Sequence, residues 1–307
     1  MSTPVQLSVV IPVYNSEKII PELLARIAST LEKNISWEVI LVNDGSRDKS
    51  WEEILRQKKI YGQHLKAINF TRNYGQHNAI LCGFSFCSGE LVATMDDDLQ
   101  HPPEELIKLF EKQKQTDADI VYGMYAQKHH SFIRNFGSLF MRQTSDYRKH
   151  NKGAGSSFRI IKKHLAKILA EKHTTHFLFL DSVLAWYSGN VETVDVDHHE
   201  RKSGHTGYSF FKLFGIYLNI LYYYSTKPLK IITAAGLFFS IITFLMGIRF
   251  IYYKLMHNVP LGYTSIIVSI MFSTSIILLC LGIIGNYLYK LYQFQQNKPP
   301  YSVKNII

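Results

Sequence analysis

The chain is poor in cysteine and carries no export or nucleic-acid signature. Its 307 residues include three cysteines, Cys82, Cys87 and Cys280. They are too few and too scattered for a disulfide framework or a cysteine-rich metal site, which fits a reducing compartment. Met1 to Gln6 lacks the basic and apolar regions of a signal peptide, so the chain is expected to begin in the cytoplasm. No zinc-finger or RNP-type pattern occurs, and no nucleic-acid partner is expected. No internal repeat is evident, which leaves repeat architectures out. Charge is nearly absent from two late stretches: residues 231–253 hold only Arg249, and residues 264–289 hold none.

Elsewhere charge is abundant and unbalanced. The formal net charge of +10 calls for an anionic partner or surface, such as anionic lipid or a phosphorylated substrate. Hydrophobic residues make up 47% of the chain, too many for disorder. The first half alternates strand-like and helix-like runs. Strands are expected at 7–13, 37–42, 65–70, 91–95 and 119–122, with helices at 17–31, 49–60, 76–87 and 103–115. Such alternation predicts an α/β fold built from βαβ units on a parallel sheet. Beyond residue 124 the pattern loosens. Helices are expected at 132–148, 163–172 and 177–187, strands at 157–161 and 191–196, and a basic, glycine-containing loop at 198–207.

The two uncharged stretches exceed the roughly 20 apolar residues that cross a bilayer. They predict a transmembrane hairpin over about 231–253 and 264–289, with Arg249 near a helix end where it can snorkel to the interface. Lys212, Lys227 and Lys230 precede the first span, and Lys290, Lys298 and Lys304 follow the second. The positive-inside rule puts both flanks in the cytoplasm, although Lys254 in the connecting loop weakens the bias. The aromatic and basic stretch 208–224 suits a helix lying among lipid headgroups; a core helix is the alternative. The expected organisation is a cytoplasmic α/β domain at 1–207, a membrane-proximal helix at 208–228, and a membrane hairpin with a short cytoplasmic tail at 229–307. No Gly-x-x-x-Gly pair lies within either span to suggest a packing face, although self-association remains open.

Chemistry concentrates where the expected strands end. The fourth strand runs into Asp96-Asp97-Asp98. Two like charges about 4 Å apart repel by roughly 4 kcal/mol at an effective dielectric near 20, so the cluster calls for a cation. Ligands of open α/β sheets sit at the carboxyl ends of strands, and carboxylates there suit Mg²⁺ or Mn²⁺. A solvated turn capping the next helix is the alternative for a lone triplet. Tyr14 at the first strand's exit could stack on a nucleobase. Asp44 at the second could accept a hydrogen bond from a base N–H. Arg72 at the third is a candidate anion partner. Each has a plain structural alternative, but four successive strands deliver Tyr14, Asp44, Arg72 and Asp96/Asp98 to one sheet edge.

These segments resemble the family-2 glycosyltransferases with a GT-A fold, and among them the membrane-anchored polyprenyl-phosphate enzymes similar to dolichyl-phosphate mannose synthase and bactoprenol glucosyltransferase. The resemblance rests on Val10-Ile-Pro-Val-Tyr-Asn15, Val42-Asn-Asp-Gly-Ser46, Arg72-Asn-Tyr-Gly75, Asp96-Asp-Asp-Leu-Gln-His-Pro-Pro-Glu104 and Ser225-Thr-Lys-Pro-Leu229 before paired spans. It implies a GT-A (Rossmann-like), mostly parallel sheet flanked by helices. It implies Asp96 and Asp98 as the metal-binding pair, with Asp97 as the variable middle residue. Pro12, Tyr14, Asn15, Asp44, Arg72, Asp97 and Gln100 become contacts of a UDP-, GDP- or dTDP-sugar. Arg201 in the basic loop becomes a phosphate contact, and Asp181 stands where many relatives place a base. The implied reaction is an inverting, metal-dependent sugar transfer to a polyprenyl phosphate at the cytoplasmic face of a bacterial-type membrane. A glycan or lipid-linked oligosaccharide acceptor is the alternative; the Gln-x-x-Arg-Trp motif of processive relatives is missing. The sequence departs from the pattern in three places. Ser16 stands where many relatives carry an acid, Gly123 is followed by Met124-Tyr125 where many place an arginine, and Ser156-Ser157-Phe158-Arg159 replaces an acidic-Phe-Arg pattern.

Overall fold

Runs of β-branched residues alternating with amphipathic helices build the expected βαβ units. A computed structural model describes residues 4–32, 35–125, 156–172, 180–197, 262–295 and 299–307, with scattered positions between 234 and 256. Strands β1 (Leu7–Val13), β2 (Trp37–Asn43), β3 (Leu65–Phe70) and β4 (Leu91–Thr94) run parallel. Helices α1 (Ile20–Leu31), α2 (Ser50–Tyr61) and α3 (Gln76–Phe84) connect them. Every residue of β1, β2 and β4 is buried. Parallel strands are covered on both faces, so their sequences read as unbroken apolar runs. Helix α1 starts with a proline in its first turn, where no N–H is needed, and presents Leu23, Leu24, Ile27 and Leu31 to the core.

The sheet continues through α4 (Leu106–Thr116), β5 (Ile120–Tyr125), β6 (Arg159–Lys162), α5 (Lys163–Lys172), α6 (Leu180–Tyr187) and β7 (Val191–Val196). Among the described residues it has eight strands in the order β7-β5-β6-β4-β1-β2-β3-β8, the last being β8 (Val303–Ile306). Two strands run against the rest. β6 is antiparallel to both β4 and β5, and β8 is antiparallel to β3. An antiparallel strand begins where its neighbour ends, so the residues entering β6 and β8 lie at the carboxyl edge of the parallel strands.

The chain divides into two compact units. Met1–Gly207 with Asn297–Ile307 forms the first, and Tyr208–Gln296 the second. The expected short tail is therefore, in its last residues, a strand of the first unit's sheet. In the second unit, α7 (Tyr263–Gln295) is one continuous 33-residue helix that contains the stretch expected as the second span. Counted over the described residues alone, no helix is long and apolar enough to cross a membrane. Nearly all of 231–253 and many α7 side chains fall outside that count, so the hairpin remains an expectation. The helix expected at 132–148, the loop at 198–207 with Arg201, and the interfacial helix at 208–224 also lie outside the described residues.

Close packing of α3 on β1 depends on one small residue. A Cβ added at Gly83 would sit 2.3 Å from Val10 Cγ1, in the middle of a fully buried strand. Overpacking of this kind costs about 1–3 kcal/mol. Gly83→Ala should lower the melting temperature of the detergent-solubilised protein by several degrees, and an unchanged transition would mean that α3 can slide without cost.

Candidate active site

Parallel pairing brings the exits of β1 to β4 together, and polar side chains tie them to one another. Pro12 is buried in β1 opposite Val42 of β2. Val10 and Pro12 turn their backbone toward β4, whose ladder ends at Thr94, so the missing proline N–H leaves no ladder bond unmade. The chain then turns through Asn15, at φ 56°. Asn15 N–H donates to Ser46 Oγ at 3.0 Å, Ser46 donates to Asn43 Oδ1, and Asn15 Oδ1 accepts the Arg47 N–H at 2.8 Å. Asn43 Nδ2 in turn donates to Asn69 Oδ1 at 2.8 Å, joining β2 to β3. Tyr14 is left 43% exposed, a ring free to meet a ligand.

Asp44 is 3% exposed, and its carboxylate clasps the loop after β3. The Tyr74 N–H donates to Oδ1 at 2.6 Å and the Gly75 N–H to Oδ2 at 2.9 Å. Burial pushes this carboxyl above its ordinary range, and the two amides pull the other way. Each oxygen keeps a lone pair, so a base N–H can still be accepted. Gly45 makes the approach possible. It sits at φ +64°, and a Cβ there would lie 2.4 Å from the Arg72 carbonyl carbon. Arg72 is exposed, with its guanidinium 4.9 Å from the Tyr74 ring centroid.

The three aspartates divide their labour. Asp97, the middle residue, accepts the Tyr14 N–H at 3.1 Å and the Ser16 hydroxyl at 2.5 Å, both through Oδ2. It pins the β1 exit to the β4 exit. Ser16 is the residue that replaces an acid of the related pattern, and a carboxylate there would face Asp97 at hydrogen-bond range. Asp98 accepts the Gln100 N–H at 3.1 Å after Leu99, which takes a left-handed φ of 58°. Asp96 accepts from Gln76 Nε2 at the start of α3 and from Ser157 Oγ at 2.6 Å. Both donors are neutral. Burial is the main cause that pushes its carboxyl up to about 6, Ser157 opposes this, and Asp98 and Asp97 add to it. A half-buried carboxylate raised in this way is suited to a cation.

Among the described residues, no group of three or more His, Cys, Asp or Glu forms a metal cage. A cage is not needed for Mg²⁺ or Mn²⁺, which take one or two carboxylates and complete their shell with water and substrate phosphates. Asp96 and Asp98 fit that requirement, while Asp97 ties the β4 exit to the β1 exit through Oδ2.

Beneath Asp96 lies a buried pair that sequence reasoning missed in part. Arg159, 1% exposed, forms an ion pair with Asp181, 3% exposed. Arg159 Nε also donates to Thr94 Oγ1 at 3.2 Å, and the Tyr122 hydroxyl reaches Asp181 at 3.3 Å. Thr94 Oγ1 donates to the Ser157 carbonyl at 2.7 Å. The entry of β6 thus braces the exit of β4. His77 has these two charges as neighbours, and burial lowers its pKa to about 4. Asp181 is therefore committed to Arg159. Gln76, Ser157 and Arg159 were not among the expected site residues. The departure at 156–159 was the available signal, and no pattern pointed to Gln76.

The mixed α/β sheet, with acidic strand exits on its parallel carboxyl edge, has a GT-A-like layout. The chain belongs to glycosyl transferase family 2, whose family model matches residues 8–184. A bactoprenol glucosyl transferase of Shigella phage SfV is 31% identical over 314 residues, covering 98% of each chain. An undecaprenyl-phosphate 4-deoxy-4-formamido-L-arabinose transferase of Photorhabdus laumondii is 29% identical over 315 residues, covering 98% of this chain and 94% of the relative. Glucosyl-3-phosphoglycerate synthase from Mycobacterium tuberculosis superposes with a TM-score of 0.52 at 13% identity, over 71% of this chain and 78% of that one, a likeness of fold.

The raised Asp96 has a pH consequence. Between pH about 4 and about 6 the unfolded chain releases this proton and the folded chain retains it, so stability from this group falls as pH rises through that window. A cation must displace the same proton. The rise in melting temperature on adding Mn²⁺ should be full above pH 7 and should fade below about 6. Asp96→Asn should remove both the rise and its pH dependence; a Mn²⁺ effect that ignores pH would place the ion elsewhere.

Proposed function

We propose that the protein transfers a sugar, with inversion, from a nucleotide-sugar to a polyprenyl phosphate at the cytoplasmic face of a membrane. The observation that carries this reading is the convergence of Tyr14, Asp44, Arg72 and the Asp96/Asp98 pair on one edge of one sheet. The acceptor class is supported by the whole-length likeness to relatives named for undecaprenyl phosphate and bactoprenol. Membrane attachment is supported by α7 and by exposed apolar side chains along it, including Ile266, Ile270, Ile277, Leu281 and Leu288.

In this reading Asp44 and the loop it clasps receive the nucleobase, and the exposed Tyr14 ring packs against it. Asp96 and Asp98 would hold Mg²⁺ or Mn²⁺, which when bound neutralises a leaving diphosphate. Gln100 lies beside the donor sugar, and Arg72 and Arg201 supply positive charge for phosphates. The chain needs no strong base, because a phosphate acceptor is already anionic and attacks as such. Asp181 fits that economy. Using it as a base would leave Arg159 unpaired in the interior, and breaking a buried pair costs about 3–5 kcal/mol. We assign it an orienting role through Arg159.

Asp96→Ala and Asp98→Ala should abolish transfer of label from a radiolabelled nucleotide-sugar to undecaprenyl phosphate while the protein stays folded. Normal turnover by both variants would sink the assignment of the pair. If the wild-type protein gives no labelled lipid but labels a glycan, the acceptor class is wrong. Asp181→Asn should reduce kcat about tenfold or less and keep the shape of the pH profile. A loss on the scale of general-base catalysis, roughly 100- to 10,000-fold, with the loss of an acidic limb, would make Asp181 the base.

A further inference from the structure

The last residues of the chain return to the catalytic sheet, and they do so beside the loop that Asp44 holds. Strand β8 pairs with β3 through Ile306–Ile68, Asn305–Asn69 and Val303–Phe70, with a register shift at Asn69/Phe70. Being antiparallel, β8 places its entry at the exit of β3. There the Thr71 N–H donates to the Ser302 carbonyl at 3.1 Å. The Tyr301 ring stacks on Phe70 with centroids 5.2 Å apart and planes 8° apart. Phe70 meets Tyr74 edge-on at 5.6 Å, and the Tyr74 hydroxyl lies 3.1 Å from Thr71 Oγ1. Burial raises the Tyr301 hydroxyl above its ordinary range, and Cys82 and Ser85 at the end of α3 are its polar neighbours. One tyrosine from the tail thus touches the strand before the 71–75 loop and the helix after it. The loop itself supplies the two amides that hold Asp44.

We infer that the Tyr301–Ile307 tail is a working part of the nucleotide site, with Tyr301 as a positioning residue for the Arg72–Gly75 loop. The inference rests on the proposed nucleotide role of Asp44. An unpaired β3 would present a row of open backbone groups and leave Phe70 without its stacking partner. The loop would then lose its anchor on the side away from Asp44. A misplaced loop weakens recognition of the nucleotide, and the Asp96/Asp98 pair on β4 is untouched. The expected signature is a donor KM effect with little change in kcat.

The test uses the full-length protein in detergent or nanodiscs. Tyr301→Ala should raise the donor KM about tenfold and leave kcat within about twofold, and Tyr301→Phe, which keeps the stack, should restore most of the affinity. A chain truncated after Lys298 should show the same KM defect, relieved by adding a synthetic peptide of sequence PPYSVKNII. Binding of UDP, GDP and dTDP in the presence of Mn²⁺, read by thermal shift, gives a second measure. Unchanged KM in Tyr301→Ala overturns the inference. So does a fall of kcat and melting temperature together without a KM change, which is the mark of a merely structural tail. Asp44→Asn separates the two layers. Loss of nucleotide binding in Asp44→Asn with none in Tyr301→Ala rejects the tail alone, and intact binding in Asp44→Asn rejects the nucleotide reading beneath it.

Discussion

Parallel pairing of β1 to β4 is the constraint on which the rest depends. Strands that run the same way must all end at the same edge, and each must turn out of the sheet there. Their first loop residues are therefore crowded together whatever their chemistry. The sequence fills the crowded edge with short polar groups that bind one another. Asn15, Ser46, Asn43 and Asn69 link three exits in a row, Asp44 holds the loop that follows β3, and Asp97 pins Tyr14 and Ser16. The edge is fixed before any ligand arrives, and fixed groups need little reorganisation when charge develops.

Two strands that break the parallel rule complete this edge. β6 and β8 enter the sheet where the parallel strands leave it, so their first residues become neighbours of the site. Ser157 and Arg159 brace Asp96 and Thr94 on one flank, and Tyr301 and Ser302 brace the 71–75 loop on the other. The flanks differ in kind. On the β6 side the brace is a buried ion pair beneath a raised carboxylate. On the β8 side it is an aromatic stack and a backbone bond.

What the sequence made legible follows from the same physics. β1 and β3 fall on their expected bounds because buried parallel strands are unbroken apolar runs between polar turns. Tyr14, Asp44, Arg72 and the aspartates were legible because strand ends can be read off once strands can. The division of the aspartates was only partly legible. The resemblance implied the middle one as a spacer, but its bond to Ser16 joins residues 81 positions apart. β8 was not legible at all. Four residues with two charged or polar members carry no periodic signal, and their partner lies more than two hundred residues earlier. Gln76 and Ser157 were hidden for the same reason, since each acts through a partner that only the fold brings near.

The late arrival of β8 bears on how the protein is made. A ribosome adds about 5–20 residues per second. Gly207, the last residue of the first unit's main segment, precedes Val303 by roughly 100 residues, so the edge of β3 waits about 5–20 s for its partner. During that wait an unpaired strand is open to the wrong neighbour. The rim of the sheet can close only after the long helix of the second unit has been synthesised.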